Sequence, residues 1–259
     1  MVKGFELFKE RFSEFGESFI VIGGTACDLT LSRFGGFRRT KDIDIMVLTE
    51  KVSDGFASAL HGFLQEGGYS CYVSRDSKPH YYRFLSPGND SYPWQIEILS
   101  HSLLPERADA TFTPISLDEG VRSLSAIVLD EEYYEYAKEH RDFSAGVPCL
   151  ASEALVAFKS SAYLNLLSDR EQNPASVRSE DLNKHRNDVF RLVSVMPEDA
   201  RFELPHVIKE RLSNFLALFP ADSEEWGAIR SSIGAMALSP EVYIKRIKEM
   251  FSLDDEVQG

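Results

Sequence analysis

With 259 residues, 43% of them hydrophobic and 27% charged, the chain has room for one large domain or two modest ones around a packed, soluble core. No apolar run approaches the roughly 18 residues that span a bilayer, and a formal net charge of −13 argues against a surface coated in nucleic acid, which needs a basic face. Cys27, Cys71 and Cys149 are scattered and form no CxxC pair, so reduced thiols in a cytoplasmic protein are expected rather than a disulfide framework or a structural zinc site.

In chain order, the first segment, MVKGFELFKERFSEFG, is amphipathic rather than a leader. Phe5, Phe8, Phe12 and Phe15 recur at helical spacing, which predicts a docked helix. Phe19–Ile22 is an apolar strand that runs into Gly23-Gly24-Thr25, and Thr25–Ser32 reads as a helix. After a Gly-rich, basic turn comes Asp42–Leu48, where Asp42 and Asp44 alternate with Ile43 and Ile45. Ser53–Gln65 predicts a helix with Phe56, Leu60 and Phe63 near one side, ending at Gly67-Gly68. Tyr69–Val73 and His80–Leu85 are short strand candidates, Ser86–Tyr92 is a turn by composition, and Trp94–Leu99 is a strand with Gln95 and Glu97 on one face.

Further on, Ser123–Leu129 reads as a strand, Asp130–His140 as an acidic, aromatic helix and Gly146–Leu150 as a short extended piece. Ser152 caps a strong helix to about Leu167, Asp169–Arg178 is the clearest loop of the second half, and Ser179–Val195 resumes a helix. Helices near Pro205–Leu218 and Pro240–Phe251 and a frayed tail complete the chain. The pattern predicts an N-terminal α/β part over 1–148 and a helical part over 149–259, with the boundary near 145–150.

Asp42 and Asp44 carry the chemistry. Residues i and i+2 of a strand point to the same side about 7 Å apart, and two carboxylates there are costly unless a cation binds them. Magnesium favours carboxylates together with substrate phosphate oxygens. The bland reading is a solvated strand end. Gly23-Gly24-Thr25 shifts the balance, because a strand leading through Gly-Gly into a helix lets backbone N–H groups approach a phosphate. Glu97 is the third carboxylate, provided its strand lies beside Asp42–Leu48; otherwise it is an ordinary glutamate on a polar face.

Lys159, amid Leu155, Phe158, Ala162 and Leu166, either snorkels to solvent or meets an anion, for which a triphosphate would serve. Lys184 and Asp188 stand four apart and can pair along their helix, with His185 between them as a packing or functional residue. Arg33, Arg38, Arg39 and Lys41 set a basic cluster beside the two aspartates, in an otherwise acidic chain.

Together these residues resemble the nucleotidyltransferase superfamily, the fold shared by DNA polymerase β and the aminoglycoside nucleotidyltransferases, and within it the AbiEii-type branch that includes toxins of toxin–antitoxin pairs. The likeness rests on Gly23–Ala26 (GGTA), on Arg38-x-Thr40-x-Asp42-x-Asp44, on Glu97, on Lys159 in FKSSAYLNL and on Lys184, His185 and Asp188. It runs from about residue 19 to 195, and the longer stretch between Gly24 and Asp42, with Gly35-Gly36, departs from the pattern.

The resemblance implies an α+β nucleotidyltransferase fold, a mixed sheet flanked by helices, followed by a helical domain. It implies transfer of a nucleoside monophosphate from an NTP to an acceptor hydroxyl. Asp42, Asp44 and Glu97 would hold two Mg2+ (or Mn2+) ions, with Glu97 assisting at the hydroxyl. The Gly23–Thr25 turn would hold phosphates, with Arg38, Thr40, Lys159, Lys184 and Asp188 also toward the nucleotide. The acceptor is open among RNA, a protein and a small molecule, and a cognate antitoxin is an implied partner. A non-catalytic nucleotide-binding module on the same fold is the remaining alternative.

Overall fold

The computed structural model describes residues 2–35, 38, 40–71, 82–85, 87–100, 131–175 and 177–253. Arg39, the strand expected over 123–129, residues 72–73 and 80–81 of two expected strands, and the tail from 254 lie outside them. The described residues form two compact units that divide between Ala151 and Ser152.

The first unit is built on a mixed sheet of β1 (Phe19–Ile22), β2 (Asp42–Val47), β3 (Ser70–Cys71), β4 (Tyr82–Leu85), β5 (Gln95–Ser100), β6 (Arg141–Asp142) and β7 (Cys149–Leu150), in the order β3-β4-β5-β2-β1-β7-β6 among the described residues. β2 runs antiparallel to β1 and parallel to β5, and β5 is antiparallel to β4. β1 is buried at every position, as its unbroken apolar run FIVI requires of a strand covered on both faces. In β2 and β5 the alternation separates two faces: Ile43, Ile45, Ile96 and Ile98 are fully buried, while Asp42, Asp44, Gln95 and Glu97 occupy the other side.

The apolar face is sealed by aromatic rings. In α1 (Phe5–Phe12), Phe5, Phe8 and Phe12 fall on one side and are at most 1% exposed. Phe15 closes the following 3-10 turn instead of continuing the helix. Phe8 and Phe12 meet Phe19 of β1 edge-on at 5.7 and 6.1 Å, and both meet Phe63 of α3 (Asp54–Gly67). Such pairs add about 0.5–1.5 kcal/mol each beyond the area they bury. Ser53 caps α3 by accepting from the Phe56 N–H at 3.1 Å, and Gly68 ends it in the left-handed region, φ +63°, with its N–H on the Leu64 and Gln65 carbonyls. α2 (Gly23–Leu31) packs against β1 and β2, and α4 (Glu131–Glu139) completes the unit.

The second unit is all helical among the described residues: α5 (Ser152–Gln172), α6 (Ser179–Val195), α7 (His206–Ala217), α8 (Glu225–Ile233) and α9 (Pro240–Met250). α5 is buried continuously from Ala154 to Ala162 and packs against α6 and α7. Phe190 of α6 is the hub of an aromatic core, within 4.9 Å of the Trp226 ring, 5.2 Å of Tyr243 and 5.5 Å of Phe219.

Two departures from the sequence reading fall here. α5 continues through Asp169 to Gln172, four residues into the expected loop, because Arg170, Glu171 and Gln172 are good helix formers. α8 was not anticipated. Its Gly227 and serines weaken the local signal, and burial of Trp226, Ile229 and Ile233 overrides it. Cys27 and Cys149 are buried and form no disulfide.

Candidate active site

The site lies where β1 ends beside β2. Ile22 pairs with Asp44 across the antiparallel ladder, so the chain leaves β1 at the level of that aspartate. Gly23 turns it with φ +67°, a conformation that L side chains avoid, and a Cβ there would lie 2.1 Å from Asp44 Oδ2. A Cβ on Gly24 would lie 3.0 Å from Thr40 Oγ1 and 3.6 Å from Arg38 Nη2. The Thr25 hydroxyl donates to the Asp42 carbonyl and ties the start of α2 to β2. The structure thus brings Gly23, Gly24, Thr25, Arg38, Thr40, Asp42 and Asp44 together at the N-terminus of α2, where first-turn N–H groups lack helical partners.

Glu97 sits on the neighbouring strand, and the parallel register sets it opposite Asp44, with Gln95 opposite Asp42. Its Oε1 accepts from Arg83 Nε and from Gln95 Nε2, both at 2.6 Å, and lies 2.5 Å from Arg83 Nη2. Burial pushes the Glu97 carboxyl above the usual carboxylate range. Arg83 pulls it back and the charge of Asp42 adds to the rise. Arg83 escaped the sequence reading. The one available signal was a cationic residue alternating with Phe84 on a short strand.

Three acidic residues therefore share one sheet face, but no group of three or more His, Cys, Asp or Glu side chains among the described residues converges as a metal would require. Asp42 and Asp44 by themselves fit magnesium in kind. They offer hard carboxylate oxygens two residues apart on one strand, Gly23 keeps a side chain off Asp44 Oδ2, and magnesium commonly takes only one or two protein carboxylates beside phosphate and water.

The remaining expected residues belong to the helical unit. Lys159 does not snorkel. It is 3% exposed, and its Nζ lies 3.2 Å from Oδ2 of the fully buried Asp188, whose Oδ1 is 3.5 Å from Arg191. The expected pairing of Lys184 with Asp188 is not found. Lys184 binds Asp181 at 2.9 Å, three residues back in the first turn of α6, while Asp188, one turn further on, is fully buried against Lys159 of α5. His185 stands beside Lys184 on that helix.

The family model described as nucleotidyl transferase AbiEii toxin, type IV TA system, matches residues 7–255. The chain belongs to the AbiEii nucleotidyl transferase toxin family. The match covers nearly the whole chain and reaches beyond the stretch from 19 to 195 on which the motif resemblance rested, so the last helices are part of this AbiEii chain's family pattern. The mixed sheet with flanking helices accords with a nucleotidyltransferase fold. Neither curated proteins nor solved structures gave a match. No described helix is long and apolar enough to cross a membrane.

Proposed function

We propose that the chain transfers a nucleoside monophosphate from an NTP to an acceptor hydroxyl and releases pyrophosphate. The observation that carries this reading is the register: Ile22 opposite Asp44 and Asp44 opposite Glu97 put a glycine turn and two strands' carboxylates side by side. Asp42 and Asp44 would hold Mg2+, or Mn2+ in its place. The bound cation would supply charge neutralisation on the phosphates. The N–H groups of Gly23, Gly24 and Thr25 would receive phosphate oxygens, with Arg38 and Thr40 flanking them. Glu97 would stand at the attacking hydroxyl. No covalent enzyme intermediate is required, since positioning and electrostatic stabilisation suffice for such transfers. Lys159, Lys184 and Asp188 already stand in ion pairs of the helical unit, and the proposal is carried by the first unit alone.

The acceptor proposed first is an RNA or a protein, as befits a toxin. The family's description, a type IV toxin–antitoxin system, suggests an antitoxin as partner. A second reading, a small cationic acceptor such as a polyhydroxy amine, is favoured by the net charge of −13, which draws cations inward. The test is transfer of label from α-labelled NTPs to total RNA, to protein and to an amine panel. Transfer is expected with the native chain and should vanish in a folded Asp44→Asn variant; undiminished transfer by that variant would remove Asp44 from the site.

A further inference from the structure

The pairing of Arg83 with Glu97 is lopsided. An arginine and a carboxylate that meet only for stability tend to form a fork, with two N–H groups on two oxygens. Here Nε and Nη2 of Arg83 both go to Oε1, and Gln95 Nε2 adds a third donor to the same atom. No described residue hydrogen-bonds Oε2. The side chains are 19% and 12% exposed, and Oε2 is not among the fully buried polar atoms that lack a partner, so it stays open to a hydrogen-bond donor from outside. Gln95, Glu97 and Arg83 occupy one face of two adjacent strands, opposite in register to Asp42 and Asp44, and the three carboxylates do not converge on a common cation position.

We propose that Arg83 is a positioning residue: with Gln95 it saturates Glu97 Oε1 and thereby reserves Oε2 to accept a hydrogen bond from the acceptor hydroxyl, and Glu97 is not a ligand of the cation held by Asp42 and Asp44. This rests on the nucleotidyl-transfer reading and narrows it, because it separates a cation-holding pair on β2 from an acceptor-orienting glutamate on β5. Arg83 acts only through Glu97, so the two residues form one functional element.

The test uses full-length Arg83→Met, Arg83→Lys, Glu97→Gln and Arg83→Met/Glu97→Gln chains, with folding checked by circular dichroism. Label transfer gives kcat and the KM for NTP, and titration with Mn2+ alone, followed by electron paramagnetic resonance, gives cation affinity. Arg83→Met and Glu97→Gln are each expected to lower kcat about 10–100-fold, as loss of a supporting partner does, with the KM for NTP within about twofold. The double variant should be no slower than Glu97→Gln, and Arg83→Lys should recover part of the loss. Mn2+ affinity should stay near wild type in all four and fall in Asp44→Asn. Native kcat in Arg83→Met, losses that multiply in the double variant, or Mn2+ binding weakened by Glu97→Gln as much as by Asp44→Asn would each overturn the proposal. A wild-type chain that transfers no label overturns the transfer reading itself, a failure visible without any variant.

Discussion

At the scale of single residues, the site turns on Gly23. Its φ of +67° and the 2.1 Å between a hypothetical Cβ and Asp44 Oδ2 make it a position where only glycine fits without displacing a carboxylate. Gly23→Ala should cost about 1–2 kcal/mol from the left-handed backbone alone, read as a shift in denaturant midpoint. It should also reduce label transfer on the order of a hundredfold, because Asp44 must move. A variant that transfers normally would take the turn out of the mechanism. The glycines and aspartates were legible in the sequence because strand alternation and a Gly-Gly break are local signals. The partners of Lys159 were not. Whether a lysine on an apolar helix meets water or an anion depends on what packs over it, and here Asp188 of the next helix does. For Lys184 the four-residue spacing pointed to Asp188, but the three-residue neighbour Asp181 is its partner, since Asp188 is fully buried against Lys159 while Asp181 stands partly exposed in the first turn of α6.

Among elements, the sheet's central strands were readable and its surroundings less so. β1, β2 and β5 announce themselves by an unbroken apolar run or strict alternation, whereas the pairing of β4 with β5, which delivers Arg83 to Glu97, leaves no trace in either strand. α8 likewise exists because Trp226, Ile229 and Ile233 are buried by helices distant in sequence. A contact of the same kind joins α4 to the 3-10 turn after β2. Burial would push the Glu50 carboxyl up, but Lys138 at 2.8 Å and the Tyr134 hydroxyl outweigh it and hold the group at about 2, below its ordinary 4.5. A carboxylate depressed on folding stabilises the fold above its unfolded pKa, and that contribution fades as pH falls through the folded one. Glu50→Gln should therefore melt below wild type at pH 7. The gap should close between about pH 4.5 and about 2, followed by thermal melts across that window. A constant gap down to pH 2 would show that the carboxylate's charge does not matter.

For the molecule as a whole, charge is the discriminating property. The chain carries −13 overall, with Arg38 beside Gly24 and Lys41 next to Asp42 in the sequence. At low salt a long-range negative field repels a polyanion and draws in a cation, and salt near 0.15 M screens both beyond about 8 Å. If RNA is the acceptor, kcat/KM for RNA should rise several-fold from about 20 to 150 mM salt, while a cationic amine acceptor should show the reverse. The sequence by itself determined that the chain has a Gly-Gly turn after a buried strand, two alternating aspartates and a glutamate on a later strand, because these are periodic or contiguous features of one segment each. It also sufficed to point to the AbiEii family, whose match over residues 7–255 extended a resemblance first drawn from motifs alone. Only the tertiary structure decided that Glu97 is held by Arg83, that the three carboxylates do not converge on one cation position, and that Lys159 and Asp188 are partners. Those outcomes depend on strand register and on which helix faces which, and both are settled when remote segments compete to bury their apolar faces.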